Sequence, residues 1–182
     1  MAIPRKYRSI VGAASKAAGA VGIPGAFSGG LDTIAVTAIW GAMLLAVAEK
    51  SGHRQDRAFA MKLATGVAAG VAAYVGGSKI FTWALTIAFP GAGALAAMGF
   101  NGILNYLFTY RFGHAITAFF EHGDYDVSDA VTAAAAILPL LTHIPTASEA
   151  TDVFAIAAEP INRKTFEEFI AAVAAARGGR LS

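Results

Sequence analysis

The densest grouping of chemistry-bearing side chains in this sequence is His114, Glu121, His122, Asp124 and Asp126. Imidazole nitrogens and carboxylate oxygens are the donors of zinc and calcium sites. His114 and Glu121 stand two helical turns apart on one face, and the other three follow in a loop-like stretch. This spacing fits no metal motif, so the expectation is a solvated helix end with no metal. No P-loop, nucleophile elbow or Ser/His/Asp grouping is present, and Gly91-Ala92-Gly93 carries no lysine and reads as a bend. The chain is expected to have no catalytic residue and no cofactor. Cysteine is absent, which excludes disulfides and thiolate chemistry.

A second set of polar residues is arranged as stripes. Asn101, Asn105 and Thr109 are spaced by four, so they share one helical face. Thr33, Thr37 and Gly41 repeat the pattern, as do Thr82 and Thr86. Gly66 and Gly70 have the GxxxG spacing that lets two backbones approach closely. Such stripes cannot face lipid chains cheaply. Their expected use is interhelical hydrogen bonding, each bond contributing on the order of 0.6 kcal/mol. The alternative is the lining of a permeation path, as in a small oligomeric channel or transporter subunit.

The elements that carry these residues are unusually apolar. From Ile80 to Tyr110 the chain has 31 residues without Asp, Glu, Lys or Arg, interrupted by Pro90, Gly91, Ala92 and Gly93. About 20 apolar residues suffice for a membrane span. The run is expected to form two helical pieces joined by a Pro-Gly bend at Pro90, Gly91 and Gly93: a helical hairpin. Charged residues make up 14% of the 182-residue chain, against roughly 25% in soluble domains. The surplus apolar surface must then meet lipid or further copies of the chain. Alanine tempers that reading. There are 42 alanines, strong helix formers that are only weakly hydrophobic, so each segment is marginal for insertion alone.

Periodicity and stop signals predict an all-α fold. A helix over Tyr7 to Val21 would lie in the membrane interface, followed by a flexible hinge from Gly19 to Gly30. Asp32 is expected to cap a helix running to Lys50, closed by Ser51-Gly52. A second helix would begin in the charged connection and end at Gly76-Gly77. A long helix is expected from Gly93 to about Glu121, and another over Ala130 to Leu141 capped by Ser128 or Asp126. Thr146 and Glu149 have capping-box spacing, as do Thr165 and Glu168. In the last helix Phe166, Phe169, Ile170 and Val173 share a face. Three regions result: a basic, Gly-rich arm (1–30), an apolar helical membrane or oligomer core (31–123) and a C-terminal helical region (124–182).

Net charge is only +2, but Arg5, Lys6, Arg8 and Lys16 form a basic N-terminus with no acid before Asp32. Each such residue near an anionic lipid surface contributes about 1 kcal/mol, so these four are the expected headgroup contacts. Basic residues are not interleaved with aromatics, which argues against a nucleic-acid partner. The N-terminal arm and the Glu49–Lys62 connection each carry four Lys or Arg, so the positive-inside rule fixes no orientation. That tie suits helices that enter and return on one side, or lie flat, about as well as true spans.

Four patches resemble a family of bacterial membrane-associated helical domains that includes YcjF-type inner-membrane proteins and domains linked to small GTPases. They are Asp32 leading to Ala46-Val47-Ala48-Glu49-Lys50-Ser51-Gly52, then Phe89-Pro90-Gly91-Ala92-Gly93, then Asn101 with Asn105, and Thr109-Tyr110-Arg111-Phe112-Gly113 followed by Phe119-Phe120. They fall within residues 31–123. The resemblance implies a helical module without catalysis of its own, at the bacterial inner membrane or its cytoplasmic face, working with a GTPase. The combined expectation is a membrane-associated helical bundle that forms homo-oligomers through its small and polar faces and acts as a scaffold or membrane-shaping module.

Overall fold

Runs of alanine and leucine with few β-branched residues lose little side-chain freedom in a helix, and among the described residues the chain is helical where these runs occur. The computed structural model describes residues 3–25, 33–53, 55–77, 93–122, 129–143 and 146–178. Among them are helices α1 (Arg5–Gly25), α2 (Thr33–Lys50), α3 (Arg57–Gly77), α4 (Gly93–His122), α5 (Ala130–Leu141), α6 (Ala147–Ala158) and α7 (Arg163–Gly178). No strand occurs among the described residues, so the fold is all-α.

Local chemistry sets most helix ends. Gly52 has φ +83°, a left-handed position that suits glycine. The His53 amide donates to Ala48 O and the Gly52 amide to Glu49 O, the paired bonds of a Schellman stop. Asp56 then accepts from the Phe59 amide at 2.7 Å and starts α3, so α2 and α3 form a hairpin. Asp129, rather than Ser128 or Asp126, caps α5: its carboxylate accepts from the amides of Val131 and Thr132. Thr146 caps α6 by accepting from the Glu149 amide. The last helix starts earlier than its capping-box spacing implied, because Asn162 accepts from the Thr165 amide.

The expected hinge from Gly19 is not seen: α1 continues to Gly25. Gly19 instead serves close packing, since a Cβ there would lie 3.3 Å from the Gly102 carbonyl oxygen and 3.7 Å from Tyr106. The rest of that hinge, 26–32, lies outside the described residues. Among the described residues no helix is long and apolar enough to cross a bilayer. Residues 78–92 lie outside the described set, so the first piece of the uncharged run and the bend at Pro90 and Gly91 are not placed; Gly93 opens α4.

The core is built around α1, α2 and α4. Tyr7 meets Glu121, Val11 meets Gly113 and Gly19 meets Gly102, so α1 and α4 run antiparallel. Trp40 meets Thr109 and His53 meets Phe120, so α2 runs parallel to α4. Trp40 stacks on Phe112 with centroids 4.7 Å apart. On α3, Gly66 meets Ala134 and Gly70 meets Leu138, a parallel packing of α5 on α3. The buried face of α7, Phe169 and Val173, closes the bundle over α1 and α2.

A Cβ at Gly113 would sit 2.5 Å from Val11 Cγ1, closer than any relaxed contact. Gly113→Leu is expected to cost about 3 kcal/mol or more by overpacking the α1–α4 seam, read as a lowered urea midpoint.

Candidate functional site

Two polar constellations stand inside this apolar bundle. The first is the stripe on α4. Thr109 is fully buried and its hydroxyl accepts the Trp40 indole N–H at 2.8 Å, which ties α4 to α2. Asn105, one turn earlier, is 0% exposed, and neither its Oδ1 nor its Nδ2 has a hydrogen-bond partner among the described residues. The Ser15 hydroxyl on α1 is likewise buried and unpartnered. Because α2 and α4 are parallel, Thr37, buried one turn before Trp40, lies level with Asn105. The α2 stripe turns toward α3, however: Gly41, one turn after Thr37, has Met61 of α3 against it. Asn101 and Thr33 continue the two stripes in sequence, with side chains outside the described residues.

The second constellation joins α4 to the α5–α6 connection. Arg111 is 3% exposed. Its Nε lies 2.6 Å from Glu149 Oε1 and its Nη2 3.2 Å from Oε2, a bidentate pair. Its Nη1 donates to the Leu141 carbonyl at 2.6 Å. His143 adds a third contact: Nε2 is 3.0 Å from Glu149 Oε2 and Nδ1 2.7 Å from the Leu140 carbonyl. Both ring nitrogens face acceptors, and only the imidazolium donates to both. Arg111 brings positive charge to the C-terminal end of α5, while Glu149 brings negative charge to the first turn of α6, each favoured by the helix dipole.

Burial alone would push the Glu149 carboxyl up. Hydrogen bonds and charge from Arg111, and then from His143, outweigh it and hold the carboxyl below its usual value. A cavity of about 240 Å³ opens beside this cluster, lined also by Tyr110, His114, Ser148 and Asp152. Burial, with help from the Asp152 and Glu149 carboxylates, pushes the Tyr110 phenol up to about 12, so it stays neutral. The arrangement braces three helices, α4, α5 and α6, through the Arg111, Glu149 and His143 contacts.

The other sequence candidates fall elsewhere. Gly66 and Gly70 seat α5 within the same chain. Lys6 pairs with Glu121 at 2.6 Å, and the Glu121 carboxylate also accepts from Tyr7. Arg8 Nε lies 3.2 Å from the Glu159 carboxylate, and Lys16 donates to the Glu159 carbonyl, a cation at the C-terminus of α6. Three of the four basic N-terminal residues thus have internal partners, and Arg5 is exposed. No group of three or more His, Asp or Glu among the described residues is placed to hold a metal ion; Asp124, Asp126 and the His122 side chain lie outside them. Sequence reasoning missed the Arg111–Glu149–His143 cluster. Its signal was a lone arginine closing a 31-residue uncharged run, since a buried arginine needs a partner.

Comparison with known proteins finds no match. No protein family, no curated protein and no solved structure corresponds to the chain.

Breaking a buried pair leaves an uncompensated charge. Arg111→Met is expected to cost about 3–5 kcal/mol in chemical denaturation. Because the folded Glu149 carboxyl is held below its ordinary value of 4.5, its contribution is present above that pH and is lost as pH falls through the folded value. Glu149→Gln should flatten this acid limb of the stability–pH curve. Asn105→Leu removes two unpaired buried polar atoms at similar volume, so a gain of about 1–3 kcal/mol is expected. An unchanged urea midpoint would show that buried water already satisfies the amide.

Proposed function

We propose that this chain is a non-enzymatic helical scaffold that attaches to one face of a membrane and self-associates there. The observation that carries the reading is α5. Its twelve residues, AVTAAAAILPLL, hold no charge, yet Val131 is 76% and Leu140 53% exposed. Single exposed apolar residues are ordinary. Here Val131, Ala135, Ala136, Pro139 and Leu140 form one exposed, uncharged helical face, about 14 Å long at 1.5 Å per residue. Beside it, Thr65, Gly66 and Ala69 of α3 are exposed as well, so the strip is two helices wide.

Attachment to one face is favoured over spanning because none of the described helices is suited to cross a bilayer. It is also favoured over attraction by the basic N-terminus, because Lys6, Arg8 and Lys16 are engaged within the chain. Gly66 and Gly70 already pack against Ala134 and Leu138 of α5 in the same chain, which disfavours their use in self-association. Exposed alanines such as Ala155 and Ala158 on α6 offer small-residue contacts in their place. The likeness to YcjF-type domains agrees with this reading through its four sequence patches.

Purified protein should float with phospholipid vesicles in a density gradient. Val131→Glu with Leu140→Glu is expected to reduce the floated fraction at least about tenfold, since each substitution sets a charge against acyl chains, while the urea midpoint stays the same. Protein that remains at the bottom of the gradient without these changes would rule the proposal out.

A further inference from the structure

A second opening lies on another side of the bundle. It is a groove of about 350 Å³ between α2, α3 and α7. Its floor and walls are small or apolar: Gly41 on α2, Met61 on α3, and Ala172 and Ala175 on α7. The cause is local. Alanine and glycine occupy facing positions on α2 and α7 where leucine would have filled the space. Two charges stand at the rim, Arg57 from the first turn of α3 and Glu168 from α7. Both are exposed, and neither forms an ion pair among the described residues, with the other or with any other group.

We infer that this groove binds a single-chain zwitterionic amphiphile, a lysophospholipid. The apolar trough takes the acyl chain. The volume is at the low end of ligand sites, about 300–1,000 Å³, and suits one chain rather than two. The rim supplies the complementary charges. The Arg57 guanidinium matches a phosphodiester with paired N–H donors, and the Glu168 carboxylate accepts from an ammonium group. A ligand carrying both charges neutralises both rim residues at once, which a fatty acid or an alkylamine does not. Membrane attachment is not required, because the ligand is monomeric in solution.

The test is calorimetric titration of the full chain with lysophosphatidylethanolamine below its micelle concentration. Saturable binding at one site per chain is expected. Ala175→Phe and, separately, Ala171→Phe fill the groove from exposed positions, so the melting temperature should hold while affinity falls at least about tenfold. Arg57→Gln and Glu168→Gln should each weaken the zwitterionic ligand, whereas a fatty acid of equal chain length should respond to Arg57→Gln alone. The inference is overturned if binding is not saturable or if both phenylalanine variants bind as tightly as the parent. It is also overturned if sedimentation shows a dimer in solution that those variants dissolve, which would make a second copy the occupant.

Discussion

A core made largely of alanine holds only if its helices come very close together. Each alanine removes little apolar surface from water, so stabilisation per residue is small at about 25 cal/mol per Å². Dispersion contact must supply more, and it decays within an ångström of separation. Everything else in this bundle follows from that closeness. Gly113 admits Val11, Gly19 admits the α4 backbone and Gly70 admits Leu138. The few large side chains, Trp40, Tyr7, Phe108 and Phe112, then fill the spaces that remain between α1, α2 and α4.

Polar groups inside such a core fix which helix meets which. The Trp40–Thr109 bond sets the register of α2 on α4. Arg111 reads two elements together, the last carbonyl of α5 and the first turn of α6. A buried ion pair contributes little net stability compared with a well-packed apolar substitute, but its loss on one side is severe. The cluster therefore acts as a specification: α5 and α6 have one arrangement on α4 that leaves no charge stranded. Asn105 and Ser15 stand apart, buried polar side chains with no hydrogen-bond partner among the described residues.

The helices were largely legible because their ends carry local chemistry. Ser51-Gly52 stops α2, Thr146 caps α6 and glycine opens α4, all readable within a few residues. Where a neighbouring residue with the same chemistry was available, the reading slipped, as from Ser128 or Asp126 to Asp129 and from Thr165 to Asn162. Tertiary purposes were much less legible. Glycines at 19 and 22 look alike as hinge and as packing residues, and only the approach of α4 distinguishes them. Gly66 and Gly70 promised close contact, but the sequence did not say that Ala134 and Leu138 would provide it. The basic N-terminus looked like a lipid contact because its acidic partners, Glu121 and Glu159, are more than a hundred residues away. Arg111 and Glu149 are 38 residues apart, still too far for local periodicity to pair them.

That separation matters during synthesis. The buried face of α1 is made before its partners on α4, which at residues 102 to 121 come about a hundred residues later. At roughly 5–20 residues per second, the interval is on the order of 5–20 s. Glu159, which receives Arg8 and Lys16, comes later still. Through that time Tyr7, Val11, Ala14 and Ala18 have no mate. Such exposed apolar surface invites aggregation, and the long separation slows the closing step. The nascent chain is thus a natural client for a chaperone that shields a short amphipathic helix until the rest of its bundle has been made.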